Sequence, residues 1–238
     1  MEEKLSGIVL GGVNFGENDR ILNIFTLEQG VVSAKIKGVK KAGAKLKFAS
    51  EPFCFAEFIF MKKGTMRTVK NASLLDSFYP VRENIVKYFC AGTVVEFLKR
   101  FYKEEMISEQ TFFLSVDALK QIAYSEQPKS ALVKFLVDAL FVAGYGLRTH
   151  DCALCEEEIS ERPFFDYRTG SFYCLECAPD GAREISVHTL SALIKSSVSE
   201  LLDDDVGTDR ALKLLEFYIQ NRSEENLKSL KELIKILP

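Results

Sequence analysis

Two C-x-x-C motifs, Cys152-Ala-Leu-Cys155 and Cys174-Leu-Glu-Cys177, stand 18 residues apart and constrain the fold more than any other feature of the chain. Each motif bends the backbone so that two thiolates can face one ion. Two such pairs complete the tetrahedral four-sulfur shell that Zn²⁺ prefers. The intervening Asp166-Tyr-Arg-Thr-Gly170-Ser segment reads as a hairpin turn that returns the second pair to the first. The expectation is one structural zinc per chain, held by Cys152, Cys155, Cys174 and Cys177 in a module at about 149–180. A closed four-thiolate shell leaves no position for activated water, which argues against a zinc hydrolase. Disulfides and unliganded thiols are the competing readings, and disulfides are unusual in the cytoplasm. His150 is a further possible ligand that four cysteines make unnecessary.

Hydrophobic periodicity divides the 238 residues in two. Up to residue 78, segments 5–13, 20–27, 31–38, 52–63 and 66–75 are rich in Val, Ile, Phe and Thr and are bounded by glycines and polar turns. Gly30 closes a tight turn where positive φ costs glycine little. Alternation puts Val32, Ala34 and Ile36 on one face and Ser33, Lys35 and Lys37 on the other. Five short strands in so short a stretch suit a small closed barrel, which has no exposed sheet edge. After Tyr79-Pro80 the period changes. Ile85, Phe89, Thr93, Phe97 and Phe101 recur every fourth residue, with Val86, Cys90, Val94 and Leu98 beside them, as on a helix. Further helices are expected near 109–124, 129–143, 186–202, 209–221 and 224–236, with Ser223 as N-cap of the last and Pro238 ending the chain. Asp203-Asp204-Asp205 reads as a solvated loop. The fold class is therefore α+β: an N-terminal barrel, 1–78, then a helical domain, 79–238, carrying the inserted zinc module.

Charge follows the same division. Residues 1–75 carry 12 Lys+Arg against 7 Asp+Glu, and the remainder is net acidic by 8 charges. Six lysines, Lys35, Lys37, Lys40, Lys41, Lys45 and Lys47, fall within 13 residues without an acid. A flexible basic loop beside a small barrel suits a nucleic-acid strand, charge tracking the backbone while rings stack on bases. Arg20, Arg67 and Lys70 are added candidates for contact. Phe15, Phe25 and Phe48 are candidate stacking platforms, each also readable as core. The zinc module is different: residues 150–184 hold nine acids and three arginines, so phosphates are repelled there.

Catalysis finds little support. Only His150 and His188 are present, and the chain has no G-x-x-x-x-G-K-[ST], G-x-S-x-G or H-E-x-x-H motif. Cys54 and Cys90 lie in apolar segments and read as packing residues. No run approaches the ~18 apolar residues of a membrane span, and the charged start does not resemble a signal peptide. A non-enzymatic cytoplasmic protein is expected.

Several motifs together resemble the RecO family of bacterial recombination mediators. In the barrel these are Glu17-Asn-Asp-Arg20, Phe25-Thr26, Gly30, Lys37-Gly38-Val-Lys40-Lys41 and Glu51-Pro52-Phe53. Phe135-Leu136 through Ala143-Gly144-Tyr145 leads into the first C-x-x-C, and Leu212 through Tyr218, Asn221-Arg222 and Leu227-Lys-Ser-Leu230 follow. The loop after Lys41, Ala-Gly-Ala-Lys-Leu-Lys, departs from the family pattern but keeps its charge. The resemblance implies an OB-fold followed by a helical domain. It also implies a role in DNA repair: binding single- and double-stranded DNA, annealing complementary strands and helping to load recombinase onto strands coated by single-strand-binding protein. RecR is the implied partner, with RecF in some pathways. The acidic, apolar tail of single-strand-binding protein needs an apolar groove rimmed by cations. Lys228, Lys231 and Lys235 beside Leu227, Leu230 and Ile234 make the last helix a candidate seat, against the alternative that this face is core. A zinc-stabilised adaptor that binds protein or RNA without annealing DNA is the rival reading of the whole chain.

Overall fold

The computed structural model describes residues 2–64, 66–148, 151–159, 161–197 and 205–237. Five strands, β1 (Glu2–Phe15), β2 (Asp19–Thr26), β3 (Gly30–Ile36), β4 (Phe55–Lys63) and β5 (Met66–Asp76), close into a barrel in the order β1-β2-β3-β5-β4. Closure falls to a short parallel pairing, Ala34–Arg67 to Ile36–Val69, while β1 and β4 pair antiparallel from Glu2–Met61 to Ile8–Phe55. Strand alternation decides what goes where. Val9, Leu22, Ile24, Val32, Ala34, Ile36, Phe58 and Phe60 fill the barrel, whereas Ile8, Leu10 and Phe25 point outward and are equally buried. The five expected segments are therefore the five strands. β1 extends further at both ends, and Phe53 lies before β4 with φ of 72°.

The outward apolar residues are covered by helices. α1 (Ile85–Phe101), α2 (Glu109–Tyr124) and α3 (Pro128–Val142) follow the barrel, then α4 (Val187–Ser197), α5 (Asp205–Ser223) and α6 (Lys228–Ile236). Asn84 caps α1 by accepting from the Val86 and Lys87 amides, and Ser108 caps α2 through the Thr111 amide. α3 ends where Gly144 takes φ of 83°. The expected apolar face of α1 is buried from Cys90 to Leu98, but Ile85 lies 59% exposed in the first turn, beyond the reach of the core. Phe25 packs 5.3 Å from Tyr102 and 6.0 Å from Phe112, and Phe55 lies 6.0 Å from Phe112. Burying one such side chain contributes roughly 1.5–3 kcal/mol, so this seam joins barrel and helices firmly.

One cap differs from expectation. Ser223 ends α5 instead of starting the last helix: its hydroxyl donates to the Ile219 carbonyl at 2.7 Å. Glu224 then takes φ of 60°, and α6 begins at Lys228 without a side-chain cap. The end of the expected 186–202 helix, Asp203, Asp204, His150 and Pro238 lie outside the described residues. Among the described residues, no helix is long and apolar enough to cross a membrane.

Gly30 has two reasons to be glycine. Its φ is 67°, and an added Cβ would collide with the Met106 backbone between α1 and α2. Gly30→Ala is expected to destabilise the protein by about 1–3 kcal/mol, combining backbone strain with a loosened barrel–helix seam. Thermal or urea unfolding of the two proteins measures the difference.

Candidate nucleic-acid interface and metal centre

The basic loop follows β3 and runs through turns to a 3₁₀ segment at Phe48–Ser50. Lys37, Lys40, Lys41, Lys45 and Lys47 are exposed and make no ion pair among the described residues. Lys35 differs: its ammonium is 2.9 Å from Asp19 and sits 4.4 Å from the centre of the Phe15 ring. Asp19 organises this corner, because its other oxygen accepts from the Gly38 amide at 2.8 Å. The Lys40 amide donates to the Asn18 carbonyl at 3.1 Å. Together Phe15, Asp19, Lys35, Lys37 and Lys41 line an open depression of about 600 Å³. Of the three candidate platforms, Phe15 is 45% exposed, Phe48 packs partly against the barrel core, and Phe25 is fully buried in the seam. Asp19 was not legible as part of the site, since it stands sixteen residues before Lys35 and meets the loop only where the β1–β2 turn folds against it.

The other basic candidates are placed differently. Both terminal nitrogens of Arg20 donate to backbone carbonyls, of Ser50 at 2.8 Å and Gly12 at 3.2 Å, which ties the loop's end to β1. Arg67 bridges Glu3 at 3.1 Å and the Gln29 side chain, holding β5 to the barrel rim. Both guanidinium groups are thus engaged within the fold, because their strands carry them towards acceptors of neighbouring strands. Lys70 is exposed on β5. On α6 the expected apolar groove is filled. Leu227, Leu230 and Leu233 are buried and Ile234 packs against the core, because α6 closes against α1. Lys231 pairs with Glu216 at 3.4 Å and Lys235 with Glu232 at 2.6 Å, while Lys228 is exposed at the start of the helix.

The four cysteines meet. β6 (Phe164–Asp166) and β7 (Ser171–Tyr173) form the expected hairpin, and β8 (Arg183–Glu184), which the sequence did not signal, adds a third strand. The turn closes through the Gly170 amide donating to Asp166, with Gly170 at φ of 69°. An amide–carbonyl bond from Ala153 to Phe172 holds the first motif against the hairpin. All four sulfurs lie within 4.8 Å of one another, and the Cys155 and Cys174 sulfurs are 4.0 Å apart. Zn–S bonds of ~2.3 Å in a tetrahedron require sulfurs ~3.8 Å apart, so the cluster fits such an ion. Burial opposes ionisation of Cys152, but the amides of Cys155, Cys174 and Leu154 outweigh it and hold the thiol near 6. Hydrogen bonding with Cys174, followed by desolvation and the other two thiols, pushes Cys177 up to about 12. Four thiolates need a cation among them to be ionised together. Cys54, pushed up to about 12 by burial, and Cys90, raised by burial still further, are packing residues. His188 is exposed at the start of α4.

The Gly38 amide, followed by Lys35, holds the Asp19 carboxyl below the ordinary carboxylate range. A depressed pKa means that the contact is present above the unfolded value of about 3.9 and is lost as pH falls through the lower folded value. In an NMR titration, the Gly38 amide resonance should therefore move with a midpoint below pH ~3.9, and Asp19→Asn should abolish that transition.

Comparison with known proteins finds one family across both parts of the chain. The family model "Recombination protein O N terminal" matches residues 1–78, and "Recombination protein O C terminal" matches residues 82–231. A protein of Acetivibrio thermocellus named DNA repair protein RecO is 27% identical, over 98% of this chain and 96% of its own length. Proteins with the same name from Caldicellulosiruptor saccharolyticus and Anaeromyxobacter sp. (strain K) are 26% and 30% identical. They cover 83% and 81% of this chain, and 81% and 78% of their own lengths. With its five-stranded barrel, helices and four-cysteine cluster, the chain belongs to the RecO family of DNA repair proteins.

Proposed function

We propose that the protein is a non-enzymatic mediator of recombinational repair. In this reading it binds single- and double-stranded DNA, anneals complementary strands, and helps load recombinase onto strands coated by single-strand-binding protein. The barrel, 1–78, carries the strand, and the helical part, 79–238, carries the metal module and the protein contacts. One observation supports this most directly: the loop after β3 exposes five lysines that make no ion pair among the described residues, and two of them, Lys37 and Lys41, line one depression with the exposed Phe15 ring. Annealing needs neutralised phosphates and aligned strands, which lysines supply without hydrolysis. Phosphate contacts position a strand and read no bases, so affinity should vary little with sequence. RecR, RecF and single-strand-binding protein are the partners this role requires, and the cytoplasm is where it would act. With the leucine face of α6 filled, the acidic tail of single-strand-binding protein must seat elsewhere on the helical part.

Lys35 is committed to Asp19, so the loop lysines to test are Lys37, Lys40, Lys41 and Lys45. Each that neutralises a phosphate contributes about −0.7 to the slope of log K against log salt on a single strand, so four contribute roughly −3. Replacing all four with Ala should flatten the slope by that amount and reduce strand annealing. Equal slopes would move the surface elsewhere, and absence of binding by the unaltered protein near ~50 mM salt would favour the adaptor reading.

We further propose that the cysteine cluster holds one structural Zn²⁺. Cys152, Cys155, Cys174 and Cys177 would be its ligands, and bound zinc would supply cross-linking rather than catalysis. Cys174→Ser should lose the metal and loosen the hairpin, since ligation energy there is folding energy. DNA affinity should persist, because the acidic module has no role in phosphate binding. Metal analysis showing full occupancy in this variant would refute the assignment.

A further inference from the structure

Beyond the loop, the outer face of β1 leads into a second charged region. Gly11, Val13 and Phe15 alternate onto one face, with Val13 65% and Phe15 45% exposed. At ~3.4 Å per residue the stripe is about 14 Å long. The Lys35 ammonium closes one end, over Phe15. Lys99, from α1, closes the other: a Cβ on Gly11 would stand 3.3 Å from its ammonium nitrogen. Gly11 follows a bulge in β1 and has φ of 141°, so the strand bends there and leaves room for the lysine.

At that end the sheet meets α1 and α6 in a cleft of about 690 Å³. Its charged lining is Arg20, Lys99, Arg100 and Lys228 with the acid Glu96, and of these Arg100 is paired with Glu225 at 3.9 Å. Glu96 accepts from the Ser229 amide at 2.8 Å and keeps its charge, and the cleft carries more cations than acids. Arg20 gives its terminal nitrogens to carbonyls, which carry no formal charge, and its Nε is buried without a partner among the described residues. Neither Lys99 nor Lys228 makes an ion pair among the described residues. Burial pulls the Lys99 pKa down despite Glu96, and the neighbouring Arg100 adds to the fall. Tyr88, 46% exposed and edge-on to Phe53 at 5.7 Å, adds a ring to the same wall. Uncompensated cations with an exposed aromatic are the combination that holds a single strand.

We propose that this cleft continues the strand path, so that a single strand passing from the lysine loop over Phe15 and Val13 crosses the Gly11 bulge and lays its phosphodiesters against Lys99 and Lys228. Tyr88 then offers a face to a base. The proposal rests on the nucleic-acid reading of the barrel and extends it onto the helices.

The test is a salt titration with an 18-nucleotide oligothymidylate. Lys99→Ala/Lys228→Ala should flatten the slope by about 1.4, two phosphates' worth, with the unfolding temperature unchanged. Lys99→Arg/Lys228→Arg should retain the original slope. Lys235→Ala, which removes one charge from the far end of α6, should leave it unaltered. An unchanged slope in the double alanine variant overturns the proposal, as does an equal flattening by Lys235→Ala. Failure of the barrel reading shows separately, as an unchanged slope when the four loop lysines are removed.

Discussion

Phe25 lies on the outside of a barrel strand and is nonetheless fully buried, between Tyr102 and Phe112. Around it Ile8, Leu10 and Phe53 from the barrel join Val95, Leu98 and Leu119 from the helices in one continuous apolar core. A small barrel can fill its own interior, but it cannot leave these residues in water without a large penalty. The helices therefore cover part of the barrel's outer surface, and the part with Phe15 and the lysine loop stays open. Orientation follows from this packing, because the covered face decides which face remains for a ligand.

Much of this architecture is legible because it follows from local periodicity. Alternation in 31–36 puts Val32, Ala34 and Ile36 inside, and the same rule leaves Lys35 and Lys37 lining one depression. The C-x-x-C spacing likewise brings four sulfurs together. What the sequence conceals is long-range pairing. Arg20 and Arg67 look like surface cations in one dimension, and only the neighbouring strands reveal the acceptors that engage them. Lys129, between Asp205 and Asp209, is another case: burial lowers its pKa, and the two carboxylates outweigh burial and raise it. The α6 leucines were ambiguous for the same reason, since an amphipathic face reads alike whether it meets a partner or its own core. Lys99 and Tyr88 gave no signal, because their place depends on how α1 docks against the Gly11 bulge.

Electrostatically the molecule keeps two chemistries apart. The five lysines after β3 are exposed and make no ion pair among the described residues, whereas the cysteine module pairs two of its three arginines with local acids, Arg162 with Glu184 and Arg168 with Asp166. A cation among four thiolates would gain from nearby acids and lose from none of them, which fits the acidic surroundings of the cluster. The lysine loop has the converse need. Asp19, the acid at its base, is engaged by Lys35 and the Gly38 amide, so it shapes the loop while the other five lysines make no ion pair among the described residues.

The metal module is also a neighbour of the helical core. Tyr218 of α5 packs 5.8 Å from Phe165, donates its hydroxyl to the Tyr145 carbonyl, and stands where a Cβ on Gly170 would be 2.5 Å away. The hairpin between the two cysteine pairs is thus wedged against α5. An ion bound by those cysteines would stabilise α5 along with the hairpin, by an amount that grows as RT ln(1 + [M]/Kd) with free metal. The supply of that ion in the cell would then set how much of the folded protein survives proteolysis, which makes abundance, rather than affinity for any ligand, the quantity through which metal starvation would be felt.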